Sequence, residues 1–335
     1  TWCSINSRFL VKGIFIMNNN QMPPDFKKYD FTMASLLKEN TLTRYRSCIL
    51  QNIENLKKDR LYYSTPINFN DPFDTLLYAN YFRILDDVAE NLNIGMENYL
   101  KCLKEKDKFL ASFGIAMWYG NKKDDFLESF FQSIHNAAKE LKESLRNNAR
   151  IICFSEDYLS MLMWSHYADN HKGFAIIYDR DAIANADNFT ADNTVIKKKP
   201  LLRPVNYVEQ QIDLTEELVE YVRAYRIKTL GDVTPPQCHF AVEKLRTTLL
   251  EKSQDWSYER EWRVIPRHIN LENSSNLSYM KVRPKAVILG AQCERNNQKE
   301  IIDICRKRKI SVYKTEINYW EPGFKLVVIE PNPNI

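Results

Sequence analysis

Residues 150–179, RIICFSEDYLSMLMWSHYADNHKGFAIIYD, decide the fold class because they read as strand, helix and strand in immediate succession. Arg150 to Phe154 is a compact apolar run of strand length. A helix follows from about Glu156 to Ala168, with Ser155 or Asp157 able to cap its start. Gly173 to Tyr178 is continuously apolar, the pattern of a strand buried on both faces.

Toward the N-terminus, Leu42 to Tyr45 reads as a short strand and Cys48 to Lys57 as a helix with Ile49, Ile53 and Leu56 on one face. Arg60 to Tyr63 is a second strand, and Ser64-Thr65-Pro66 turns the chain. Residues 81–147 are mostly helical; Phe126, Leu127, Phe130, Phe131, Ile134, Ala138 and Leu141 recur at three- and four-residue spacing, a core stripe.

Toward the C-terminus, Val205 to Val208 reads as an edge strand after Pro204, and helices are expected near 213–229 and 238–253. Strands return at Glu261 to Ile265, Ala286 to Leu289, Ser311 to Ile317 and Lys325 to Ile329, with a helix from Glu294 to Lys307. The expected fold is α+β: a mixed, mainly antiparallel sheet of N- and C-terminal strands around an inserted helical region at about 81–147. Residues 31–335 then form one domain, preceded by a poorly ordered segment, 1–30.

Composition narrows the class. Mean hydropathy is −0.46 with 44% hydrophobic residues, which fits a globular chain and excludes a polytopic membrane protein. Net charge is +4, too mild to imply a nucleic-acid partner. Seven cysteines stand singly without a CxxC, so they read as reduced thiols of a cytoplasmic protein rather than a disulfide or zinc framework. Phe9 to Met17 is apolar but too short to span a bilayer, and Met17 is a plausible start.

Three polar signatures stand out from this frame. In LYYSTPINFNDPFD (61–74), Asn70-Asp71-Pro72 is strong turn chemistry, and Asp71 and Asp74 could face a cleft to bind a hydroxyl-bearing ligand or a metal. In MWSHYADNHKGF (163–174), Trp164, His166 and Tyr167 gather near a helix end. His166 and His171 lack the spacing of a metal-binding helix, so no metal site is read there. In YEREWR (258–263), an extended chain puts Glu259, Glu261 and Arg263 on one face. Each signature also has a purely structural reading: a capped turn, a histidine satisfying helix carbonyls, and a charged edge strand whose carboxylates pair with Arg44, Arg46 or Arg263.

Together with RYRS (44–47) and CFSE (153–156), these signatures resemble the mainly bacterial family catalogued as domain of unknown function 2971, over about 42–290. The order of an early arginine strand, a central strand ending in serine and a late glutamate strand more distantly resembles ADP-ribosyltransferases of the DNA-modifying toxin type. That resemblance implies NAD as co-substrate and a role as ADP-ribosyltransferase or NAD glycohydrolase, an effector in toxin or phage-defence systems.

Carried onto this chain, the resemblance puts Arg44 or Arg46 on the phosphates. Tyr45, Ser64, Ser155, Trp164, His166 and Tyr167 would form the nucleotide pocket, with Asn70, Asp71 and Asp74 on the closing loop. Glu261 would bind the ribose 2′-hydroxyl and stabilise developing positive charge, and Glu259 would orient the acceptor, a protein or a nucleic acid. CFSE departs from the Ser-Thr-Ser of that class. Two alternatives stand beside it: a metal-dependent hydrolase or nuclease built on Asp71, Asp74 and Glu261, and a non-enzymatic binding or regulatory module. No membrane partner is expected, and the oligomeric state is left open.

Overall fold

Each of the nine strands expected from the sequence forms, because each is a short β-branched or aromatic run that can bury one or both faces. The computed structural model describes residues 40–80, 142–217, 246–265, 277–317 and 326–329, with 82–84, 86–87, 135–136, 139, 219 and 244 between them. The expected segment 1–30, the stripe Phe126–Leu141 and most of the helices at 213–229 and 238–253 lie outside the described residues.

In chain order the strands are β1 (Thr41–Arg46), β2 (Arg60–Tyr62), β3 (Ile152–Ser155), β4 (Phe174–Asp179), β5 (Asp187–Phe189), β6 (Val195–Ile196) and β7 (Leu201–Pro204). They continue with β8 (Asn206–Val208), β9 (Glu251–Ser253), β10 (Glu261–Ile265), β11 (Tyr279–Lys281), β12 (Ala286–Leu289), β13 (Ser311–Ile317) and β14 (Leu326–Ile329). The helices used below are α1 (Leu50–Lys57), α2 (Met161–Tyr167), α3 (Arg180–Ala184) and α4 (Arg295–Arg308).

Eight strands form the main sheet in the order β14-β13-β12-β4-β1-β3-β10-β7. All its pairs are antiparallel except β12 with β13, which α4 connects as a crossover. The architecture is therefore α+β with a mixed, mainly antiparallel sheet. Four short strands make a second sheet, β2-β11-β5-β6, and β8 pairs with β9 in parallel.

Alternation along the strands feeds two cores. Leu42, Ile176, Tyr178, Ile152, Phe154, Val264, Val287 and Leu289 point to one face and pack with Ile53 and Leu56 of α1, Ile301 and Ile304 of α4, and Leu61 and Met280 of the second sheet. Tyr45, Ala175, Ile177, Ala286 and Ile288 point to the other, against Met163 and Trp164 of α2. Each buried Leu or Ile contributes roughly 1.5–3 kcal/mol, which is why strand existence was legible from apolar runs.

Local hydrogen bonding moved some boundaries. The helix expected from Glu156 starts only at Met161, because Ser155 Oγ accepts from Asp157 N–H (3.1 Å) and Asp157 Oδ1 from Leu159 N–H (2.7 Å). Those side chains wind a turn, and Ser160 caps the helix instead. The end of the expected helix 238–253 is a strand, β9, held by β8. Strands β5, β6, β7 and β11 are short and carry no alternation long enough to read.

Candidate functional site

Thr43, Ser155 and Glu261 lie in register across β1, β3 and β10. Beyond that row β1 stays paired with β4 through Arg46, while the far end of β3 is joined at Ile151 by Ser64. Strand β1 and the segment leading into the 64–70 loop thus diverge, and a cleft of about 360 Å³ opens between them. Side chains from both faces of the sheet reach it: Arg44 and Phe154 from one, Thr43, Tyr45, Ser155 and Glu261 from the other.

One wall is acidic but largely compensated. Arg263, fully buried, donates from Nε to Glu261 Oε1 (2.9 Å), from Nη2 to Glu261 Oε2 (3.0 Å), and from Nη1 and Nη2 to the two Asp74 oxygens (3.0 and 2.5 Å). Lys252 Nζ donates to Glu259 Oε2 (2.6 Å) and Glu261 Oε2 (3.4 Å) and lies 3.8 Å from Asp74 Oδ2. Three carboxylates thus face two cations, leaving one formal negative charge.

Burial pushes the Glu261 carboxyl up, but Arg263 and Lys252 outweigh it and hold it at about 2. Burial also pushes Glu259 and Asp74 up, and there the opposing cations do not fully compensate. Lys252 is lowered by burial but raised more by its three carboxylates. Glu261 accepts three hydrogen bonds from these cations, spread over both of its oxygens. Among the described residues Glu259 accepts only from Lys252 and from the Tyr167 hydroxyl (2.6 Å), which leaves it lone pairs.

The opposite wall is basic and uncompensated. Arg44 is 6% exposed, and its Nη2 donates to the Tyr62 carbonyl at 3.3 Å. Among the described residues its Nε and Nη1 have no hydrogen-bond partner, and no carboxylate pairs with it. Burial, and Arg46 beside it, lower the guanidinium to about 9. A smaller cavity of about 120 Å³ adjoins the cleft, sharing Arg44, Arg46 and Ser64 with it.

Of the residues expected from the sequence, Arg44, Tyr45, Arg46, Ser64, Asn70, Asp74, Ser155, His166, Tyr167, Glu259 and Glu261 all line this one cleft. The three signatures also meet in one chain of contacts. Asn70 Nδ2 donates to the Tyr167 hydroxyl (3.0 Å), Tyr167 donates to Glu259, and Arg263 joins Glu261 to Asp74, 189 residues away.

Two expected residues stand elsewhere. Trp164 is core: its indole N–H donates to the Tyr158 carbonyl (2.9 Å), and it packs edge-on against Tyr45 at 5.2 Å. Asp71 caps its own turn through Phe73 N–H (2.8 Å) and lines a different cavity. The trio Asp71, Asp74 and Glu261 therefore does not converge; Arg263 occupies the last two, and among the described residues no group of His, Cys, Asp or Glu is arranged to hold a metal ion.

The glutamate strand departs from its expected form. Tyr258 and Glu259 end a 3₁₀ turn, Arg260 is left-handed (φ 45°), and β10 begins at Glu261. The strand is interior, between β3 and β7, and its charges are buried rather than lying along an edge. Lys252 was missed altogether, since LEKSQDW gives no local signal of a buried cation.

The fold and cleft define an α+β protein whose buried charged residues gather at a split between two strands. Residues 163–264 match the family described as protein of unknown function (DUF2971), which supports the resemblance read from the motifs, over a shorter stretch than 42–290. No curated protein and no solved structure matches the chain. The likeness to ADP-ribosyltransferases therefore has no support from known proteins. Among the described residues no helix is long and apolar enough to cross a membrane.

Proposed function

We propose that the cleft binds a nucleotide of the NAD class and cleaves its N-glycosidic bond, as an ADP-ribosyltransferase or NAD glycohydrolase. The observation that carries this reading is Arg44: a buried guanidinium with two unpartnered nitrogens, facing a carboxylate wall across the cleft. Leaving such donors unmet is costly, and a phosphate would satisfy them. The adjoining cavity beside Arg44 and Arg46 extends the room for a diphosphate.

On this reading the two glutamates divide the work. Glu261, held ionised, is a fixed negative charge for the oxocarbenium-like transition state. Glu259 has the free acceptor capacity for a ribose hydroxyl. The C1′–N bond breaks and nicotinamide leaves with the bonding pair. Water, a protein or a nucleic acid then adds at C1′ and loses its proton to Glu259, whose raised proton affinity suits a base. His166 and Tyr167 line the same cleft and would border the nicotinamide. An NAD-consuming effector of toxin or phage-defence type, acting in the cytoplasm, would use this chemistry.

The test is nicotinamide release from NAD, alone and with a panel of proteins and nucleic acids. We expect release by the wild type and a loss of ~100-fold or more in Glu259→Gln and in Glu261→Gln. Calorimetric NAD binding without release would overturn the enzymatic reading in favour of a binding module. Neither binding nor release would overturn both.

A further inference from the structure

Asp71 and Asp74 belong to one turn but line different cavities. The Asp71 cavity, about 690 Å³, lies between the 71–78 segment, the 208–213 segment and β9. Asp71 is only 3% exposed, and among the described residues its Oδ2 has no hydrogen-bond partner. Glu209, Asp213, Glu251 and Asp255 line the same cavity, and among the described residues no ion pair neutralises any of these five carboxylates.

The cations nearby are committed elsewhere. The Lys252 ammonium is engaged by Glu259 and Glu261, and that of Lys244 by Glu217 and the Asp213 carbonyl. Apolar surface sits beside the acids: Phe73 and Tyr78 are 68% and 47% exposed. Trp256, also in the wall, already carries Lys252 Nζ 4.8 Å from its ring centre.

We propose that this cavity is a second binding site, for a slender organic cation: an alkylammonium or alkylguanidinium group on an aliphatic stem. The charged head would meet Asp71 Oδ2, the partner that this oxygen lacks, with the outer carboxylates drawing it in. The stem would lie against the Phe73 and Tyr78 rings, whose faces favour cations as well as methylenes. A free polyamine and the basic side chains of a peptide share this chemistry. The inference does not depend on nucleotide chemistry in the neighbouring cleft.

Calorimetry of the full chain at low salt, with spermidine and with an oligolysine peptide as probes, tests it. At least one probe should bind at a single saturable site, more weakly as salt rises. Tighter binding of spermidine points to a free polyamine, and of the peptide to a protein partner. Asp71→Asn keeps an acceptor for Phe73 N–H, and Glu209→Gln with Asp255→Asn alters only exposed side chains. Each should weaken binding about fivefold, the scale of one or two charge contacts. Absence of binding by both probes, or variants with unchanged denaturation midpoints that bind like wild type, would overturn the proposal.

Discussion

Among the described residues, Thr43 and Ser155 form the single register pair that joins β1 to β3, whereas β1 meets β4 through six pairs. That single rung divides the sheet. It lets residues from both faces, Arg44 and Glu261 among them, look into one space. An ordinary ladder would have separated them by strand alternation.

On the proposed nucleotide reading, Arg44 sets stability against ligand binding. Arg44→Met removes a buried, partly unsatisfied guanidinium, so the free protein should be more stable by about 1 kcal/mol. Nucleotide affinity should fall at least ~10-fold with the lost charge-assisted contacts. Denaturant midpoints and NAD titrations on the same samples check both signs; a less stable variant with unchanged affinity contradicts the role given to Arg44.

Asp74 should behave as a structural partner. Asp74→Ala removes the two oxygens that accept from the buried Arg263 guanidinium and should cost about 3–5 kcal/mol, the scale of breaking a buried pair. Chemical denaturation reads the loss directly. A change below ~1 kcal/mol would show that Glu261 alone compensates the guanidinium.

Stability should depend on acid through Glu261. Its folded pKa, about 2, lies below the ordinary value of 4.5, so its contribution is present above about pH 4.5 and is lost as pH falls toward 2. The contribution is on the order of 3 kcal/mol. Glu259 and Asp74 are raised, so their contributions run the other way, favouring the folded state at low pH and fading as pH rises past their unfolded values. Urea unfolding between pH 2.5 and 6 should therefore show an acid-side loss in wild type that is absent from Glu261→Gln.

Gly173 has no room for a side chain. A Cβ there would sit 2.1 Å from the Arg46 carbonyl oxygen and 2.9 Å from that of Ala168. Gly173→Ala should cost about 3 kcal/mol and push Arg46 away from the cleft, weakening nucleotide binding as well. Thermal melts and NAD titrations would show the two effects together; a neutral substitution would mean that the backbone there yields easily.

The HKGF run at 171–174 was visible in the sequence, yet the reason for its glycine was not, because the crowding comes from β1, more than a hundred residues away. The same holds across the site. RIICF, GFAIIY and EWRVI announce themselves as strands since burial of apolar side chains is a local, periodic signal. The turn chemistry of Asn70-Asp71-Pro72 is likewise local.

What the sequence by itself determined was nine of the strands, the α+β class and the three polar signatures as places of unusual chemistry. Charge pairing is not local, so only the tertiary structure decided which signature residues are scaffold and which line the cleft. It joined Asp74 to Arg263, brought the unheralded Lys252 to the glutamates, sent Trp164 into the core and Asp71 to another cavity, and among the described residues left Arg44 without a carboxylate. A carboxylate or guanidinium has the same letter in either role. The neighbours that folding brings within hydrogen-bond reach fix whether it is neutralised or still has capacity to bind.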